Sequence, residues 1–162
     1  LSRAIQYNDS DICNISKNLF YIKRSKVVEI NGIKIGCLGG GHSIDRLFRK
    51  QGISWFRSEI PSEQEFHEFS YNVKKKKPEY ILTHDAPYSA VLDSGICPQV
   101  SHDISNMTFD EVFELIKECD YKCWIFGHYH ASKRFKYKNK NFCALSGDVP
   151  NLDAGKDFGL LF

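Results

Sequence analysis

Between residues 79 and 126 the chain spells out a strand, a helix and a second strand, a succession that few folds accommodate. Residues 79–83 form a short apolar run that stops at His84-Asp85-Ala86-Pro87, where proline cannot continue a central ladder. Thr108 and Glu111 fit a capping box, and Phe109, Val112, Phe113 and Ile116 recur behind it at helical spacing. A second apolar run, 122–126, ends in Gly127-His128-Tyr129-His130. Such a unit places its strands parallel, with a right-handed crossover. The carboxyl ends of both strands then share one edge, where open α/β sheets bind their ligands, and both histidine segments emerge there.

The flanking elements are local. Asn31-Gly32 separates the β-rich runs 27–30 and 33–38 and predicts a hairpin with a primed turn, because that dipeptide tolerates positive φ. The hairpin runs into Gly39-Gly40-Gly41, where the backbone is free to turn sharply or approach a ligand. Ser62 and Glu65 form a capping box for a helix carrying Phe66, Phe69 and Val73, ended by Lys74 to Lys77 and Pro78. The four lysines suit the negative end of a helix dipole, so they read as a solvated helix end rather than a nucleic-acid patch. Runs 133–137 and 142–145 flank 138–141 and predict a second hairpin, whose alternating basic and aromatic residues fit a half-buried strand.

A chain of 162 residues with 42% hydrophobic content buries one sizeable core, and one domain spanning 1–162 is expected. The chain opens at Leu1, and its first stretch through Asn18 is polar with little periodicity, so that domain is expected to be incomplete at its N-terminus. A formal charge of +2 gives no electrostatic case for nucleic acid as a partner. No apolar run approaches the roughly 20 residues of a membrane span, which predicts a protein without a membrane partner. Six cysteines, at 13, 37, 97, 119, 123 and 143, are expected to be reduced thiols of a cytoplasmic protein.

The chemistry converges on His84, His128 and His130. An extended backbone would point His128 and His130 to one side and Tyr129 away, with the two histidines too widely spaced for one ion and suited to two. Gly127 would relieve crowding before them. Neutral imidazole binds Zn, Fe and Mn and needs an outer partner to hold its tautomer; Asp85 is a candidate for that role or for capping its loop.

Residues 81–87, Ile-Leu-Thr-His-Asp-Ala-Pro, and 126–130, Phe-Gly-His-Tyr-His, resemble the last two signature motifs of the calcineurin-like metallophosphoesterases. Gly40 to Asp45, the stretch containing Trp55, and Glu59-Ile60-Pro61-Ser62-Glu63 are similar to segments of a bacterial and phage branch of that family. The likeness runs over about 27–148. It implies an α/β fold, part of a sandwich of mixed β-sheets flanked by helices. It also implies hydrolysis of phosphate esters by two divalent transition metal ions, Mn, Fe or Zn. His84 and His128 would hold one ion and His130 the other, and the pair would bind phosphate and activate the attacking water. The substrate class stays open among phosphoproteins, nucleotides and small phosphate esters, with nucleic acid not indicated.

Departures from the family accompany these matches. Its earlier motifs, Asp-x-His, Gly-Asp-x-x-Asp and Gly-Asn-His-Asp/Glu, supply a bridging aspartate and further ligands; none occurs here, and all would precede residue 1. The chain alone is therefore expected to bind metal weakly and turn over little. His42 stands where the branch has a small residue; it either reaches phosphate, replaces a lost ligand or is a variation at the rim. Ser43, Asp45 and Arg46 match the family's segment, and Arg46 either meets substrate or pairs with Asp45. Two rivals remain: an inactive metal- or phosphate-binding regulatory domain of the same fold, and a structural zinc module of Cys119, Cys123, His128 and His130. The glycine run lacks the lysine and hydroxyl of a phosphate-cradling loop.

Overall fold

The computed structural model describes residues 11–41, 48–96 and 104–146; within the last range the side chains of 104–107 are not described. Among the described residues the chain is α/β, with a mixed six-stranded sheet, a two-stranded ribbon and three α-helices. The elements are β1 (Ile12–Ser16), β2 (Leu19–Ile22), β3 (Lys26–Ile30), β4 (Ile33–Leu38), α1 (Glu63–Lys76), β5 (Tyr80–Thr83), α2 (Tyr88–Ser94), α3 (Ile104–Ile116), β6 (Cys123–Phe126), β7 (Lys133–Tyr137) and β8 (Lys140–Ala144). In the main sheet the order is β3-β4-β5-β6-β8-β7. The neighbours β4/β5, β5/β6 and β6/β8 are parallel, and an antiparallel hairpin closes each edge.

Each hairpin turns on two left-handed residues. Asn31 and Gly32, at φ 52° and 82°, join β3 to β4, as their sequence predicts. Lys138 and Asn139, at φ 43° and 64°, join β7 to β8, so the predicted four-residue loop tightens to two and Lys140 becomes the first residue of β8. Helix α1 carries the predicted capping box: the Glu65 amide donates to Ser62 Oγ at 3.2 Å, and the Ser62 amide donates to Glu65 Oε2 at 2.7 Å.

Two expectations need correction. Helix α3 starts at Ile104, so Thr108 lies inside it and does not cap it. The crossover from β5 to β6 contains a second helix, α2, tied to α3 where the Ser89 amide and hydroxyl both donate to Asp110 Oδ1. In the described part of the opening stretch, β1 and β2 pair as an antiparallel ribbon; Leu19 to Ile22 is apolar and aromatic throughout, so no period-2 alternation marks it as a strand.

The helices pack on one face of the sheet. Phe66, Phe69 and Val73 of α1 and Phe109, Val112, Phe113 and Ile116 of α3 bury against Leu38, Ile81, Trp124, Phe126, Phe142 and Ala144. Trp124 stacks on Phe142 with centroids 5.8 Å apart, and Phe135 stacks on the same ring at 5.3 Å, which explains the aromatic positions of β7 as core. Alternate residues point to the other face, where Tyr80, Cys123 and Cys143 cluster with half-buried Ile33, Ile35, Ile125 and Leu145, and Leu82 is 43% exposed.

Candidate metal centre

Strands β5 and β6 run parallel in register Tyr80↔Cys123 to Thr83↔Phe126, so their carboxyl ends meet. Past those ends the ladder continues by backbone alone: the His84 amide donates to Leu38 O at 3.3 Å, and the Gly127 amide to His84 O at 3.1 Å. This brings two of the predicted residues into contact. His84 Nε2 and His128 Nδ1 lie 3.0 Å apart, with ring centroids at 4.9 Å and planes at 77°.

That spacing suits two ligands of one ion. Two imidazole nitrogens each about 2.0–2.1 Å from a metal at the tetrahedral angle stand about 3.3 Å apart, a few tenths more than here. His84 keeps an exposed side, yet desolvation by the protein around it, followed by the neighbouring His128, holds its pKa below the ordinary imidazole value against the opposing pull of Asp85. A ring kept neutral is the form that ligates.

The backbone around the second histidine departs from the expected extended conformation. His128 has φ 70° and His130 φ 49°, and the Tyr129 amide donates to Gly127 O at 2.8 Å. A bond between residues two apart around a centre near +75° is the rare, strained γ-turn. His128 therefore turns back toward His84, and His130 lies beyond the turn, exposed. Among the described residues no group of three His, Cys, Asp or Glu side chains is placed to hold a single ion.

Tyr129, expected to point away, joins the two loops. Its hydroxyl donates to Asp85 Oδ1 at 2.6 Å, and the Ala86 amide donates to the same oxygen at 2.7 Å. Asp85 is fully buried, so it caps its own loop while holding its neighbour's tyrosine. Beneath it, Trp124 Nε1 donates to Thr83 Oγ1 at 2.8 Å, and that hydroxyl donates to Asp85 O. Asp85 is legible as the polar residue after His84, but nothing local in the sequence links it to Tyr129, 44 residues away.

The glycines divide in their roles. Gly40 has φ 98°, and a Cβ there would lie 2.3 Å from Glu59 O, so this glycine is required by the protein's own backbone passing close by. A Cβ on Gly41 would stand 3.0 Å from the His84 ring, so this residue forms a wall of the centre. Gly127 corrects the expectation of crowding: its nearest neighbours would be ordinary contacts at 3.8 and 3.9 Å. His42, Ser43, Asp45 and Arg46, the further candidates for the phosphate, lie outside the described residues.

The zinc rival fits the fold poorly. Cys123 opens β6 and His128 follows its end, so a strand of four residues, about 13 Å long, separates them. Burial pushes the Cys123 thiol up to about 11, far from the thiolate that zinc requires. Cys37 is likewise raised to about 11 by burial.

No family model and no curated protein matches the chain. No helix among the described residues is long and apolar enough to cross a membrane.

Proposed function

We propose that this chain supplies the C-terminal histidine ligands of a metal-dependent phosphoesterase resembling the calcineurin-like enzymes. The contact between His84 Nε2 and His128 Nδ1, 3.0 Å apart at the carboxyl ends of adjacent parallel strands, carries this reading. His84 and His128 hold one divalent ion, of Mn, Fe or Zn, and exposed His130 serves the second. Two such ions, when bound, lower the pKa of water and neutralise charge on the attacking and leaving oxygens of a phosphate ester. The protein's part is to keep His84 neutral and aim His128 through its strained turn. A bridging carboxylate comes, in this proposal, from a polypeptide longer than residues 1–162.

The apolar face opposite the helices supports the same fold assignment. Parallel strands are ordinarily covered on both sides, and Ile33, Ile35, Leu82, Ile125 and Leu145 suit a second sheet of a sandwich. In the longer polypeptide, His84→Ala or His128→Ala should abolish metal-dependent hydrolysis of an aryl phosphate with the fold retained by circular dichroism; undiminished activity refutes the assignment. For residues 1–162 alone, elemental analysis after supply of Mn, Fe or Zn should find weak loading, with little turnover. The lack of a three-ligand group among the described residues favours one second reading, an inactive metal- or phosphate-binding domain of the same fold. Full hydrolysis by the longer polypeptide would exclude it.

A further inference from the structure

We infer that Tyr129 and Asp85 form a clamp that positions His128, so that the residue between the two histidines, and not only the histidines, sets the affinity of the centre. The clamp crosses between two loops that the sheet brings side by side. Asp85 sits fully buried after β5 and accepts two hydrogen bonds on Oδ1, from the Tyr129 hydroxyl and the Ala86 amide. The carboxylate is thus fixed to its own loop by one donor and to the β6 loop by the other. Its backbone is pinned from below by the Thr83 hydroxyl, itself held by Trp124.

Tyr129 is held on two further sides. Its ring meets Phe126 edge-on with centroids 5.9 Å apart, and His128 edge-on at 5.0 Å and 89°. Its amide closes the turn around His128 by donating to Gly127 O. A non-glycine residue at φ 70° in such a turn is strained and persists only where surrounding contacts over-determine it. The tyrosine supplies those contacts: the hydroxyl anchors its far end, the amide anchors its near end, and His128 is caught between. Loss of the hydroxyl frees the far end, lets the turn relax, and moves His128 Nδ1 away from His84 Nε2. Partners of this kind, behind a ligand, typically alter metal affinity by about tenfold to a hundredfold.

This inference rests on the proposed metal site for its consequence, but the clamp itself is testable without metal. In the metal-free 162-residue chain, the His84 and His128 rings should show a nuclear Overhauser effect, and Tyr129→Phe should weaken it with the fold retained by circular dichroism, at a lowered thermal midpoint because buried Asp85 loses one donor. Asp85→Asn keeps an acceptor oxygen and should preserve the effect better than Tyr129→Phe. Titration with Zn2+ alone, followed by the imidazole resonances, should then give a dissociation constant at least about tenfold weaker for Tyr129→Phe than for the unaltered chain. An unaltered ring-to-ring effect in Tyr129→Phe, or equal Zn2+ affinity, overturns the clamp. If the unaltered chain takes up no Zn2+ at His84 and His128, the metal reading fails, and the metal-free comparison alone decides the clamp.

Discussion

The helix-covered face of the sheet and its opposite face are both apolar, yet they are built from different residues and buried to different depths. Trp124, Phe126 and Phe142 point to the helices and are at most 1% exposed, within a continuous set of aromatic contacts to Phe109, Phe113 and Phe135. One residue along each strand, Tyr80 apart, the side chains are smaller and aliphatic or thiol, as in Ile35, Leu82, Ile125 and Cys143, and several keep partial exposure. The first face has the large interlocking rings of a finished core. The second is a mostly aliphatic surface whose members are partly exposed. The difference places the stability of the 162-residue chain on the helix side.

Four measurements sharpen or break that contrast. The largest effect is expected from Trp124→Ala, which removes the ring at the centre of the covered face and should cost about 3–5 kcal/mol in denaturant unfolding. Thr83→Val comes next: it leaves Trp124 Nε1 buried without its acceptor, and about 1–3 kcal/mol should be lost by the same measurement. Ile125→Ala, on the opposite face and half-buried, should cost about 1 kcal/mol. A loss near that of Trp124→Ala would mean that the second face is packed as tightly as the first. Leu82→Glu should be smallest, within about 0.5 kcal/mol in residues 1–162, while disrupting a longer polypeptide in which that face is covered. Equal tolerance in both would remove the case for a second sheet.

The thiols offer an independent check on the same face. Cys37 and Cys123, raised to about 11, should resist iodoacetamide at pH 8 in the native chain, because the thiolate is the reactive form. Mass spectrometry that finds them alkylated as fast as a free thiol would show that face opening to solvent.

Much of the architecture is legible from local chemistry. Asn31-Gly32 dictates its turn because few other pairs accept two positive φ values, and Ser62 with Glu65 starts α1 because each satisfies the other's amide. Thr108 shows the limit of such signals, since the same pairing falls inside α3, where the helix already begins at Ile104. The β1–β2 ribbon carries no clear period-2 pattern, so pairing between its strands, rather than burial, defines it. The tight Lys138-Asn139 turn was hidden by four polar residues in a row, any two of which could have formed it.

The sequence by itself determined which residues could do chemistry here, and that both histidine segments end parallel strands, because apolar runs and a crossover helix leave little choice of handedness. Only the tertiary structure decided how they meet. Register set His84 beside Gly127, and a strained turn folded His128 back to 3.0 Å from His84, where an extended chain would have sent it outward. The hydroxyl of Tyr129 found Asp85 across 44 residues, a contact that depends on two loops lying side by side. Periodicity and capping act over a few residues and are written locally; the direction of a side chain at a strand end depends on neighbours brought together by the sheet.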